Sequence, residues 1–388
     1  MATFCAYFDD GQCRSCGWID REYSATLAEK EESVRKRLGL PAAFKLEPTV
    51  GSSPTGFRAR AKMAVTGTTQ RPIIGLFGET NLDEGRDLLA CPIHHPRLNE
   101  LVAALPDFIL RFNLTPYQVA ERRGELKGLI AFHSASTDEL YLRFVLRSQE
   151  CVSRIRKLLP ELQAKFPRLR CVSANLQPVP HAILEGGEEI FITEARTIAH
   201  QIGEVRFRLS PQAFVQTHPR IADALYATAA NWIGEAAPGK VLELFSGQGA
   251  FTLMAAQRAG EFLGIEINSE AVAAANEAAL EQGFAHVRFK CLDAGNAEAE
   301  MAAFAPDLVL VNPPRRGLGK GAPLIKRQHP RHLIYSSCAV ESLAEDVEKW
   351  ADAYEIRRVQ VFDMFPHTKH FETLVWLEAI AAGGRSFT

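Results

Sequence analysis

Two residues late in the chain have the types and setting for covalent acid–base chemistry. Cys338 follows the apolar run Leu333-Ile334-Tyr335, and Glu372 stands in Met364-Phe365-Pro366-His367-Thr368-Lys369-His370-Phe371-Glu372-Thr373. A thiolate adds to an electrophilic carbon, and a carboxylate on a neighbouring strand end removes a proton. Buried free cysteines are commonly inert, which is the reading given to Cys151, Cys171 and Cys291. A strand-end position sets Cys338 apart. A second group of thiols opens the chain as Cys5-x7-Cys13-x2-Cys16, with Cys91 much later, before Pro92. Four thiolates suit a zinc ion or a [4Fe–4S] cluster. A zinc ribbon brings two Cys-x2-Cys knuckles and one is present here, so iron–sulfur is favoured.

The elements that must carry this chemistry begin at Val241-Leu-Glu243-Leu-Phe245-Ser-Gly247-Gln-Gly249-Ala-Phe-Thr252. An apolar run suits a buried parallel strand, and glycines before a helix let a ligand approach the backbone. Thr252 stands where a dinucleotide fingerprint needs its third glycine, and Glu243 fits a ligand with a positive end, such as S-adenosylmethionine. Strands are predicted at 241–245, 262–267, 286–291, 307–311 and 332–337, with helices at 250–259, 270–282, 297–303 and 341–353 between and after them. Two final strands, 355–362 and 373–379, have no helix between them. The expectation is an α/β fold: a Rossmann-like, seven-stranded parallel sheet ending in an antiparallel hairpin, as in class I methyltransferases. Ligands bind such sheets at the strand C-termini. There lie Phe245 to Gly249, Glu266 for two ribose hydroxyls, Asp293 for an adenine amino group, the Asn312-Pro-Pro-Arg315-Arg-Gly loop, Cys338 and Glu372.

Upstream, Leu27 to Leu38 reads as an amphipathic helix, and Phe44 to Ile192 turns largely to strands. Phe57 to Val65 places Arg58, Arg60 and Lys62 on one strand face; Arg122, Arg123 and Lys127 form another basic group. Such cations track phosphates or simply guard an edge strand. Glu194 to Pro219 reads as a linker leading to Phe214-Val-Gln216. Three parts follow: 1–43 with the cysteine segment and a helix, 44–195 as a β-rich domain supplying Cys91, and 196–388 as the catalytic domain. A length of 388 residues with 47% hydrophobic content supports several sizeable cores. The net charge of −2 excludes a bulk polyanion binder, so any nucleic-acid surface is local. No apolar run is long enough to span a membrane and no signal peptide is found, so a cytoplasmic location is expected.

Together, Phe214-Val-Gln216, Glu243-Leu-Phe245-Ser-Gly-Gln-Gly249, Asn312-Pro-Pro-Arg315-Arg-Gly, Ser337-Cys338 and Phe365-Pro-His-Thr-Lys-His370-Phe-Glu372 resemble the RNA uracil-C5 methyltransferase family across the C-terminal half. The resemblance implies Cys338 as nucleophile toward uracil C6 and Glu372 as the base that removes the C5 proton. It implies Gln216, Phe245, Glu266 and Asn312 around S-adenosylmethionine and uracil, and a target base flipped from its stack. Arg58, Arg60, Lys62, Arg123, Lys127 and Arg315 become RNA-contact candidates. The Cys5-x7-Cys13-Arg-Ser-Cys16-Gly-Trp18-Ile19 segment is similar to an rRNA branch of the family. That likeness implies a [4Fe–4S] cluster on Cys5, Cys13, Cys16 and Cys91, and a 23S rRNA uridine (U747) as target, with no obligatory protein partner. Three departures stand out: Asn312 where many members have Asp, Ala339 after Cys338 where Asn is usual, and His218 where Asn is usual.

Other readings are a uracil-C5 methyltransferase acting on tRNA or another rRNA uridine, an amino-methyltransferase of the Asn-Pro-Pro type, and a non-catalytic cluster-bearing RNA-binding protein. Arg315 stands where an amino-methyltransferase has a base-stacking aromatic, and that reading leaves Cys338 and Glu372 idle. Intact Glu243, Glu266, Cys338 and Glu372 weigh against a decayed fold.

Overall fold

A computed structural model describes residues 4–79, 81–179 and 185–380. Two seven-stranded sheets and a small hairpin organise the chain. The C-terminal sheet runs in the order Val287–Cys291, Glu261–Glu266, Lys240–Leu244, Leu308–Val311, His332–Ser337, Glu372–Ala379, Tyr354–Phe362. Its first five strands are parallel, and Glu372–Ala379 inserts antiparallel between His332–Ser337 and Tyr354–Phe362. Strand Leu308–Val311 is buried at every position, as a sheet covered on both faces requires. The helices are capped from the sequence. His218 and Pro219 start Pro219–Ala236, and Asn268 accepts from Ala271 N–H at 2.9 Å to start Ser269–Glu281.

The central sheet is antiparallel except that Glu139–Leu146 and Leu169–Leu176 run parallel, joined by helix Val152–Lys165. That helix and Pro96–Arg111 replace strand expectations in this region; each contains an internal proline, Pro160 and Pro106. The basic strand begins at Arg60, and Arg58 precedes it in a single bridge to His94. The expected linker folds instead into a hairpin, Ile198–Ile202 with Val205–Leu209. Its Ile198, Phe207 and Leu209 share one core with Phe132 and Tyr141 of the central sheet and Leu225 and Phe262 of the catalytic part. Helix Gly321–Gln328 was not expected.

The N-terminal helix, Tyr23–Arg37, buries Val34 in the core that also holds Leu244, Tyr335 and Val361. The chain then follows the last-but-one strand: Glu47 N–H donates to Val359 O and Val50 N–H to Val361 O, both at 2.9 Å. Residues 47–50 therefore run along the edge strand Tyr354–Phe362 of the catalytic sheet.

Gly249 shows how tightly the ligand-side turn is built. Its φ is +78°, and a Cβ there would lie 2.3 Å from Phe289 Cζ, inside the core. Gly249→Ala is expected to destabilise the protein by about 1–3 kcal/mol, read as a lowered midpoint of thermal unfolding.

Candidate active site

Sheet register brings the two chemical residues together. Ser337 pairs with Thr373 across antiparallel strands, so the adjoining residues Cys338 and Glu372 leave the same end of the sheet. Both line a cavity of about 1020 Å³ with Gln216, Phe245, Gly247, Glu266, Asn312 and Arg315. Phe214, 70% exposed, stands at its rim. Phe365, Gln248, Asn268 and Arg196 also line it and were not singled out from sequence, although Phe365 opens the motif that ends at Glu372.

Glu372 is 3% exposed, and burial pushes its carboxyl up to about 8, against the lowering pull of a Gln216 hydrogen bond and of Arg315. Its Oε2 has no hydrogen-bond partner among the described residues. A carboxylate with one oxygen held and the other open suits a base that takes a proton from a bound molecule. Cys338 is half-buried at the strand end. Burial and then the Glu372 charge raise its thiol, while Arg315 lowers it through charge and a hydrogen bond. Arg315, expected to touch RNA, thus shares the cavity with the nucleophile and the base and acts on both. Its loop is pinned from behind: Asp346 Oδ2 accepts from Leu318 N–H and from the Tyr335 hydroxyl, both at 2.9 Å.

On the other side of the cavity, Glu266 Oε2 accepts from Gly247 N–H at 3.0 Å and Oε1 from Asn268 N–H at 2.9 Å. Phe245 adopts a left-handed backbone, φ 63°, which costs a non-glycine residue about 1–2 kcal/mol. This turn holds Phe245 and Gly247 against the cavity.

Three expected contacts are corrected. Glu243 does not line the cavity; it is buried, and its Oε2 accepts from Thr252 N–H at 3.1 Å and from the Thr252 hydroxyl, which locks strand to helix. Gly249 likewise lies behind the cavity against Phe289. Asp293 caps a short turn, accepting from Gly295 N–H at 2.8 Å, and does not face the cavity.

The basic residues also divide. Lys127 is buried and donates to Gln177 O at 3.2 Å and Val179 O at 2.6 Å, so it does not reach RNA. Lys62 pairs with Glu185 at 2.8 Å, and Arg60 lies 3.9 Å from the same carboxylate. Arg58 Nε donates to Arg60 O at 3.0 Å. Arg123 is exposed.

The N-terminal cysteines converge. Tyr7 carries the segment to the Cys91 loop, its hydroxyl accepting from Ala90 N–H at 3.0 Å. Burial and the neighbouring Cys91, Cys13 and Cys5 push the Cys16 thiol up to about 12. Donor type and convergence suit a thiolate-bound group. Among the described residues, however, no group of three or more Cys, His, Asp or Glu side chains is arranged to hold a metal ion. Of the cysteines expected to be inert, Cys151 and Cys171 are buried, but Cys291 is exposed.

The sheet order and the glycine turn facing an acidic strand end define the S-adenosylmethionine-dependent methyltransferase fold. The crystal structure of Pyrococcus abyssi tRNA (uracil-54, C5)-methyltransferase in complex with S-adenosyl-L-homocysteine has this architecture: TM-score 0.78 at 23% identity, over 93% of this chain and 85% of that one. Residues 188–380 match the family described as tRNA (Uracil-5-)-methyltransferase. The chain is 41% identical over 378 residues to the 23S rRNA (uracil(747)-C(5))-methyltransferase RlmC of Pectobacterium atrosepticum, covering 96% of this chain and 99% of that protein. Identity to the protein of the same name from Serratia proteamaculans is 42% over 376 residues, again 96% and 99%. This chain belongs to the RNA uracil-C5 methyltransferase family.

Replacing Arg315 by Ala removes the cation that lowers the Cys338 thiol. The pH midpoint for alkylation of Cys338 by iodoacetamide, followed by peptide mapping, is expected to shift upward. An unchanged midpoint would separate Arg315 from the nucleophile.

Proposed function

We propose that this chain methylates C5 of a uridine in 23S rRNA, U747 by the name its relatives carry, to give 5-methyluridine. The observation that carries the reading is the pairing of Cys338 and Glu372 on one cavity wall in a chain alike to those relatives along nearly its whole length. S-adenosylmethionine, when bound, supplies an electrophilic methyl group. Phe245, Gly247 and Glu266 line the part of the cavity suited to it, with Glu266 placed for the ribose hydroxyls. No helix among the described residues is long and apolar enough to cross a membrane.

In this reading the Cys338 thiolate adds to C6 of the flipped uracil, forming the S–C6 bond and sending the C5–C6 π electrons onto O4 as an enolate. C5 becomes nucleophilic and takes the methyl group, the sulfonium S–CH3 bond breaking with its electron pair left on sulfur, so that S-adenosylhomocysteine is the leaving product. Glu372 takes the C5 proton, the C5–C6 double bond re-forms, and the S–C6 bond breaks to return Cys338. Asn312, an amide in place of the more usual acid, serves as a hydrogen-bonding partner for the uracil edge and not as a base. Arg315 holds Cys338 toward its thiolate form. Exposed Arg123, with Lys62, Arg60 and Arg58 where RNA displaces the Glu185 pairings, is assigned to phosphates.

The test is methyl transfer from labelled S-adenosylmethionine to unmodified 23S rRNA and to tRNA, with nucleoside analysis. 5-Methyluridine in 23S rRNA, abolished by Cys338→Ala, is the expected result. Product confined to tRNA overturns the rRNA assignment; methylated adenine or cytosine overturns the reaction itself.

Glu372→Gln is expected to trap a protein–RNA adduct that survives a denaturing gel, because elimination requires loss of the C5 proton. Turnover at the normal rate by that variant would remove Glu372 from the role of base. Both Cys338 and Glu372 act in their deprotonated forms, and burial raises both. The single-turnover rate of the unaltered enzyme is therefore expected to climb with pH through about 8, where Glu372 loses its proton, and to go on climbing above it as the raised Cys338 thiol ionises.

The same reading gives Cys5, Cys13, Cys16 and Cys91 to a [4Fe–4S] cluster, on their donor type and on the seating of Tyr7 against the Cys91 loop. Iron and sulfide analysis with electron paramagnetic resonance of anaerobically purified protein is expected to find it. Stoichiometric zinc without iron would overturn the assignment.

A further inference from the structure

A run of polar contacts, buried at Lys30–Asp363 and part-buried beyond it and used by none of the steps above, joins helix Tyr23–Arg37 to both arms of the active site. Asp363 begins the loop that leads to Glu372 and is 0% exposed. Its Oδ1 accepts from Lys30 Nζ at 2.5 Å, and its Oδ2 accepts from the Tyr23 hydroxyl at 2.6 Å. The Tyr23 oxygen in turn accepts from Ser52 N–H at 2.6 Å. Ser52 Oγ meets His218 Nε2 at 2.5 Å. His218 Nδ1 accepts from Ile221 N–H at 3.4 Å, so Nδ1 is the unprotonated nitrogen and Nε2 donates to Ser52. The imidazole is 2% exposed and stacks on Phe57 with ring centres 5.0 Å apart. Two residues before it, Gln216 lines the cavity with Glu372 and pulls its carboxyl down.

The arm that carries Gln216 and the loop that carries Glu372 therefore meet twice: once in the cavity and once behind it, at Ser52. Ser52 ties its N–H to the Asp363 side and its hydroxyl to the His218 side. From this geometry we infer that Ser52 and His218 are positioning residues for Glu372, fixing the separation of the two arms and with it the approach of Gln216 to Glu372 in the cavity. The inference rests on Glu372 being the base of the proposed reaction. Helix capping does not account for the contact, because the cap uses His218 Nδ1 alone and leaves the Nε2–Ser52 link without a purpose.

The test follows a single turnover on an unmodified 23S rRNA fragment with labelled S-adenosylmethionine, resolving adduct formation from adduct decay. Ser52→Ala is expected to form the Cys338 adduct within about twofold of the normal rate, and to release it at least about tenfold more slowly. Ser52→Thr, which keeps the hydroxyl, restores release. His218→Asn keeps a cap acceptor but is too short to reach Ser52, so it reproduces the slow release, and the double variant is no worse than either single one. The pH midpoint of release moves upward in these variants, because the pull of Gln216 that holds Glu372 down is weakened. Arg315, which also lowers Glu372, and Cys338 and Tyr226, the titratable neighbours, are unaltered in them.

Ser52→Ala with normal decay, or with formation, decay and thermal stability all falling together, overturns the positioning role. Absence of any adduct or 5-methyluridine from the unaltered enzyme overturns the reaction, and this inference with it.

Discussion

The carboxylate of Asp363 is the constraint on which the catalytic half depends. It lies in the protein interior, where an ionised group is tolerated only with partners, and two residues from the N-terminal helix supply them. Losing one partner of such a buried pair costs about 3–5 kcal/mol, because the remaining charge stays buried without compensation. Nothing comparable holds among the exposed ion pairs, such as Arg208 with Glu281, where water screens the attraction. The position of the Phe365–Glu372 loop is thus set by residues far away in sequence.

The rest of the site is built on the same economy of fixed backbones. Asp346 pins the Asn312–Gly317 loop, Glu243 locks the first strand to its helix, and Glu266 clasps the glycine turn through Gly247 and Asn268. Acidic residues hold backbone amides around the site, while Cys338, Arg315 and Glu372 share the cavity. The raised Glu372 carboxyl follows from that enclosure: burial outweighs the help of Gln216 and Arg315.

The alternation of apolar runs and helical stretches after residue 240 made the catalytic sheet legible, since its central strands are covered on both faces and read as nearly continuous hydrophobicity, while the edge strand Val287–Cys291 alternates. Cys338 and Glu372 were legible from their strand-end positions. Residues whose partners come from afar were not. Lys62 and Arg60 look like a free basic face until Glu185 arrives from another part of the sheet, and Lys127 looks exposed until the backbone carbonyls of Gln177 and Val179 close over it. Asp293 and Glu243 stood at plausible ligand positions but serve local caps and locks. Pro106 and Pro160 disguised two helices as loop-broken strands.

The closing of Lys30 and Tyr23 on Asp363 has a consequence for how the polypeptide acquires its shape. Lys30 and Tyr23 emerge early in synthesis, yet Asp363, Val359 and Val361 follow only after most of the chain has been made. Through that interval the N-terminal helix lacks the charge it neutralises and the strand it borders. Contacts of such long sequence separation close late and slowly, since the entropy of the intervening loop is lost before they form. The central sheet, whose hairpins pair nearby segments, can assemble while translation continues; the catalytic cavity cannot. The cavity is complete only when Glu372–Ala379 lies between its two neighbours and Lys30 and Tyr23 have closed on Asp363.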